Sequence, residues 1–408
     1  MQSGKSSILK SIRTRSFGRE KRFFSYPEIR REFYDRTALT AAFAAAASAA
    51  FVSAPALAAP SVTLYGLVDM GLSVSRSSGD ASNANDGKAL FQLKSGQRNG
   101  SRFGLKGVED LGSGNKVGFI LEDQFKADDG TLQDSSFWAR ESSLWVSGRY
   151  GRVTVGKVGQ LKSPVGSTAL AGTAMYPFGT LMSNFIGGLK YITTGNYLTV
   201  DNSVTYVSPN YRGFTFHAQY SFAMSGQEGT GMNDKDRMMA AAVRYKQGAL
   251  TALALADMIH LNTADSKLYD DPWTVNLAAN YDFGFIKPYI FAQYFKHSAF
   301  NTVGSDYQTR ISSGTGKKYN GFGVLAAVQW PMFGGKAKVG AGYAKGEGDG
   351  SNTTDVVRYS AHVGYDYALS KRTDLYADLG WVRQDLKNTL DRSNLTGTEL
   401  SAGIVHRF

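Results

Sequence analysis

Apolar and polar positions alternate along this chain over unusually long runs. In FTFHAQYSF, Phe214, Phe216, Ala218, Tyr220 and Phe222 alternate with Thr215, His217, Gln219 and Ser221. In WTVNLAANYDFG, Trp273, Val275, Leu277, Ala279, Tyr281 and Phe283 oppose Thr274, Asn276, Asn280 and Asp282. VRYSAHVGYDY repeats the pattern, with Val357, Tyr359, Ala361, Val363, Tyr365 and Tyr367 against Arg358, Ser360, His362 and Asp366. A period of two makes each run a strand with one apolar and one polar face. The runs extend over about nine to eleven residues, the length of a tilted membrane-crossing strand, whereas globular strands centre on about five or six. Aromatic rings gather at their ends, as at Phe214, Phe222, Tyr281, Phe283, Tyr365 and Tyr367, where amphipathic rings settle at a membrane interface.

Connections alternate in length. Short turns are predicted at 110–116, 147–152, 208–213, 246–249, 282–284, 332–336 and 370–374, with longer polar stretches at 77–88, 223–235, 299–316 and 346–354 between them. Hairpins around these turns, plus a strand at each terminus, predict about sixteen antiparallel strands with both ends on the short-turn side. An open sheet of that size would leave two edges and an apolar face uncovered, so the pattern predicts an all-β transmembrane barrel with apolar residues facing lipid. A secreted sandwich or adhesin burying the same faces is the soluble alternative.

Composition agrees with this picture. Hydrophobic residues make up 42% and charged residues 19%, with 46 Gly, 24 Phe, 22 Tyr and no Cys. The lack of Cys excludes a disulfide scaffold, thiolate metal sites and a Cys nucleophile. Residues 1–58 carry 10 of the 45 Lys+Arg and 4 of the 34 Asp+Glu, so +6 of the net +11 belongs to this leader and +5 to residues 59–408. With no dense basic tract in the remainder, a nucleic-acid partner is not expected. The stretch from Ala38 follows a basic region, is rich in small apolar residues, and has Ala56 and Ala58 spaced as a cleavage site. It reads as a signal peptide over 1–58 with an atypically long basic N-terminal region, and the barrel domain over 59–408.

Three motifs carry a family resemblance: SVTLYGLVDMGL (61–72), SRFGLKGVEDLGSG (101–114) and the terminal AGIVHRF. In this order they resemble the trimeric general porins of Gram-negative outer membranes, of the beta-proteobacterial and neisserial type. The resemblance implies a sixteen-stranded barrel and a homotrimer set in outer-membrane lipid and lipopolysaccharide. It also implies a third long loop folded into the lumen as a constriction, and reading of the terminal Phe408 by the barrel assembly machinery. Residues 160–200 are the candidate loop. Its YPFG (176–179) is similar to a Pro-Glu-Phe-Gly element of the family but lacks the acidic residue.

That departure is part of a larger one. From Ser142 to Val200 there is no Asp or Glu, where the composition of the barrel predicts about five, while Arg149, Arg152, Lys157, Lys162 and Lys190 are present. A constriction without its acidic side is expected to prefer anions, because fixed charge in a narrow lumen attracts counter-ions. Arg102 and Arg140 match the family's arginine ladder. Parity places Arg102 on the lumen side, opposite Phe103 and Leu105, whereas Arg140 shares parity with Leu144 and Val146 and rests on the resemblance alone. Glu122 is the candidate carboxylate near the constriction, and Lys157, Lys162 and Lys190 are further candidates. Asp123 falls on the apolar side, where a subunit contact is the one expected role.

The function expected is a general diffusion porin passing small hydrophilic solutes and ions, with a preference for anions. A substrate-specific carboxylate or sugar channel is the alternative, disfavoured because most aromatics fall on the lipid face. An outer-membrane enzyme is a remote reading. The chain has 5 His, and none belongs to an H-E-x-x-H element. There is no G-x-S-x-G element either, so neither catalysis nor a metal or cofactor is expected.

Overall fold

The computed structural model describes residues 61–408 apart from 81–82, 173–174, 179–182, 196–197, 232, 263, 268, 305–309, 313–316 and 388–393. The predicted leader, 1–58, lies outside the described residues. The strands are β1 (Ser61–Ser78), β2 (Ala89–Ser95), β3 (Arg102–Gly112), β4 (Asn115–Gln124), β5 (Glu141–Gly148), β6 (Gly151–Gly159), β7 (Thr199–Val207), β8 (Phe214–Ser221) and β9 (Arg237–Gln247). They continue as β10 (Leu250–His260), β11 (Trp273–Tyr281), β12 (Lys287–Ser298), β13 (Tyr319–Met332), β14 (Gly335–Gly348), β15 (Asp355–Ala368), β16 (Thr373–Lys387) and β17 (Asn394–Arg407). A helix of 4 residues, α1 (Leu189–Ile192), lies between β6 and β7. Among the described residues no helix is long and apolar enough to cross a membrane.

From β3 onward each strand pairs antiparallel with the next, and β17 returns to β1 from Leu67↔Arg407 to Ser78↔Thr396. The sheet therefore closes as a 16-strand barrel with β2 as one extra strand. Closure leaves no continuous edge, which strands in a membrane cannot leave unpaired. All seven predicted short turns join neighbouring strands.

The extra strand has a local cause. β2 pairs with one part of β1, from Met70↔Ser95 to Arg76↔Ala89, and β3 with another, from Ser61↔Val108 to Leu67↔Arg102. Between them the Asp69 carbonyl accepts the Gly96 N–H at 2.8 Å, and its carboxylate accepts the N–H groups of Arg98 (3.0 Å) and Asn99 (2.6 Å). Tyr376 donates its hydroxyl to the same carboxylate at 2.8 Å. This buried carboxylate replaces ladder bonds that the interrupted strand cannot make. The restarted chain then enters β3 at Arg102.

Alternation is expressed as predicted. In β16, Leu375, Leu379 and Trp381 are exposed while Tyr376, Asp378, Val382 and Gln384 are buried. In β17, Leu400, Ile404 and Phe408 face outward, with Glu399, Ser401 and Val405 inward. Phe408 extends the closing pair, donating its N–H to Gly66 O at 3.1 Å and accepting the Gly66 N–H at 3.3 Å.

The interior is not empty. In the connection between β6 and β7, Leu161, Met175, Phe178, Phe185, Tyr191 and Ile192 are all 0% exposed. They pack on inward-facing residues such as Leu253, Phe291, Leu325 and Val382. Two glycines make room for this backbone. A Cβ on Gly323 would lie 1.9 Å from Ile192 O, and one on Gly380 2.2 Å from Phe185 O. The segment is thus seated against the wall by apolar burial and close backbone approach.

Candidate functional site

The first residue of β3, Arg102, turns inward with Gly104 because strand parity places Phe103 on the other face. In the β3–β4 register Arg102 stands opposite Gln124 and Gly104 opposite Glu122, so Arg102 and Glu122 are diagonal neighbours. Their closest ion contact, Arg102 Nε to Glu122 Oε2, is 3.4 Å. Arg102 also donates to Gly100 O at 3.3 Å, and its side chain keeps 27% exposure. Arg140 binds the same carboxylate more tightly, from Nε to Glu122 Oε1 at 2.6 Å, and reaches Gln124 Oε1 at 2.5 Å. Parity failed to place Arg140 inward because it precedes β5, and the chain turns at Trp138 with φ 60° before the strand begins.

Glu122 also faces Glu141 directly across the β4–β5 pair. Opposed like charges destabilise a sheet unless each is compensated. Glu122 takes the two arginines and the Tyr65 hydroxyl at 3.0 Å. Glu141 instead accepts Ser143 Oγ at 2.9 Å, and Ser167 N–H and Oγ at 2.8 and 2.5 Å. The second carboxylate is therefore a tether for the 160–198 segment. Around these groups lies a cavity of about 320 Å³, lined by Tyr65, Arg102, Glu122, Arg140 and Glu141 on one side and 164–167 on the other.

Arg102, Arg140 and Glu122 are thus brought together, while the three lysines are engaged elsewhere. Lys157 pairs with Asp201 at 2.5 Å. Lys162 is buried, contacting Asp257 Oδ1 at 2.7 Å and Thr274 Oγ1 at 3.3 Å, and so pins the start of the inward segment to β10 and β11. Lys190 donates to Ser183 O and lies 5.2 Å from the Tyr191 ring. Burial among neighbouring groups pushes its ammonium down to about 7. Asp123 is buried and accepts the N–H groups of Gln124 (2.8 Å) and Trp138 (3.2 Å). It anchors the turn into the β4–β5 connection, which its place on the apolar side did not reveal.

Sequence reading missed Tyr65, Glu141 and Asp69. Glu141 sits one residue before the acid-free stretch and was passed over at that boundary. Inward-facing aromatics were also underestimated: Tyr289, Phe291, Phe295 and Tyr319 are buried inside the barrel. They join the core formed with the 160–198 segment.

The family model for Gram-negative porins matches residues 41–387. The chain belongs to the Gram-negative porin family. This porin is 28% identical over 395 residues to an outer membrane porin protein of Bordetella pertussis, covering 90% of this chain and 98% of the relative. It is 29% identical over 372 residues to Outer membrane porin protein 32 of Delftia acidovorans, covering 87% and 96%. Among solved structures, the anion-selective porin from Comamonas acidovorans superposes with a TM-score of 0.60 at 25% identity, covering 86% of this chain and all of that one. Family and fold make the protein an outer-membrane diffusion channel.

Proposed function

We propose that this porin is an anion-preferring general diffusion channel, with the 160–198 segment as its constriction and Arg102 and Arg140 as the cations that set the preference. The observation that carries the reading is the absence of Asp and Glu from Ser142 to Val200, in a segment that packs inside the barrel. The two carboxylates lining the cavity beside 164–167 are both engaged, Glu122 by arginines and Glu141 by Ser167, and Arg102 is the more exposed of the two arginines. Anion selectivity in the Comamonas acidovorans porin is consistent with the same balance.

The protein acts as a homotrimer in outer-membrane lipid and lipopolysaccharide, exported through cleavage of the 1–58 leader and inserted by machinery that reads Phe408. A solved outer membrane protein of the same fold in a trimer form supports the oligomer. A sugar-specific channel is disfavoured because the inward aromatics are covered by the inward segment, leaving no described aromatic track along open lumen. Reversal potentials of the purified protein under a KCl gradient test the preference. Cation selectivity would reject it, and competition by one solute class in single-channel recordings would move the protein to the substrate-specific reading.

A further inference from the structure

After β12, residues 299–304 and 310–312 also turn into the barrel. Phe300 forms a bridge with Thr194, and Gly195 donates its N–H to Ala299 O at 3.3 Å. Asn301 Nδ2 reaches Thr193 O at 3.3 Å and Lys190 O at 3.5 Å. Val303 and Ile311 pair through their backbones at 3.0 and 2.8 Å. Both are buried in one cluster with Phe185 and Tyr191 of the first inward segment and Val382 and Leu395 of the wall. Gln384 donates to Ser312 O at 2.7 Å, closing the segment against β16.

Beneath this second segment lies an inward-facing cation. Arg358 of β15 is fully buried, and its guanidinium sits 4.8 Å from the Phe300 ring. Its Nε donates to Gln384 Oε1 at 2.7 Å. Among the described residues its two terminal nitrogens have no hydrogen-bond partner. Covered by protein, this charge is kept at a distance from permeating ions, and uncovering it would let them approach closely, where the Coulomb interaction is larger.

We propose that 299–304 together with 310–312 form a second selectivity element, which narrows the channel by docking on the first inward segment and keeps Arg358 away from permeating ions. The inference rests on the anion-preferring reading above and adds to it a size limit and a masked cation. The two can fail separately: cation preference of the native porin removes the reading, whereas the variants below bear on the second element.

The test replaces 300–312 by a short Gly-Ser link in the full-length porin reconstituted in planar bilayers. The replaced stretch carries one acid and one base, Asp306 and Arg310, so its own charge cancels. Conductance is expected to rise, and the Cl⁻/K⁺ permeability ratio to increase roughly two- to threefold as Arg358 becomes accessible. Adding Arg358→Gln should remove the gain in ratio, while Arg358→Gln alone in the full-length loop should change it much less. Unchanged conductance on shortening, or equal effects of Arg358→Gln in both backgrounds, would overturn the proposal. Should the shortened chain not assemble, the Thr194→Cys/Phe300→Cys pair decides in a protein that otherwise lacks Cys. Oxidation should leave conductance as it is in the reduced protein, and a change on oxidation would show that the second segment is not docked.

Discussion

Reversing the charge at Arg102 isolates the residue on which anion preference depends most. Its guanidinium is held by one 3.4 Å ion contact and one hydrogen bond, and is the more exposed of the two arginines on Glu122. For an ion passing at about 5 Å, a unit charge at water's dielectric is worth roughly 0.8 kcal/mol. Screening at about 0.1 M salt reduces this to roughly 0.5 kcal/mol. Arg102→Glu changes the local charge by two units, so the interaction shifts by roughly 1 kcal/mol, about fivefold in the local concentration of each ion. Because the two ions shift in opposite directions, the Cl⁻/K⁺ permeability ratio should fall by up to about 25-fold, and for Arg102→Gln by up to about fivefold. Reversal potentials under a KCl gradient measure both variants directly. A ratio for Arg102→Glu within about twofold of native would refute the placement of Arg102 at the constriction.

Other perturbations address the supports of the inward segment. Lys162→Met leaves Asp257 buried without its cation and should destabilise the barrel by about 3–5 kcal/mol, read as a lower temperature for the unfolding transition. Pairing it with Asp257→Leu should restore most of that loss, and failure to do so would show that the pair is not the anchor. Gly323→Ala places a methyl against Ile192 O, so conductance or its noise should change while barrel content by circular dichroism stays native. Lys190, with its ammonium pushed down to about 7, is mostly neutral at pH about 8 and charged at about 6. Anion preference should rise as pH falls through that window, and Lys190→Gln should flatten the rise. An equally steep rise in the variant would assign the titration to another group.

The barrel was legible because inside and outside differ at every second residue, a local signal that β8, β11 and β15 carry without interruption. Turn positions were legible for the same reason: the period breaks where glycine and polar residues cluster. What escaped depends on contacts remote in sequence. The break between β2 and β3 is held by Asp69, which accepts N–H groups about 30 residues away. Lys162 stands in sequence as a candidate constriction charge, and its partner Asp257, 95 residues further on, leaves no local signal. Arg140 illustrates the reverse: parity argued against it, because parity has no meaning before the strand begins, and the family resemblance pointed to the position that reaches Glu122. Inward aromatics on β12 were hidden because both faces of that strand are apolar, one toward lipid and one toward the inward segment.

Anion preference in this porin is attributed to an inward segment that carries no acidic residue of its own. Its most direct test is the zero-current potential of the purified, reconstituted protein across a planar bilayer with a KCl gradient. A potential with the sign of chloride permeation is expected, decreasing in size as salt concentration rises and screening grows. A potential with the sign of potassium permeation would contradict it.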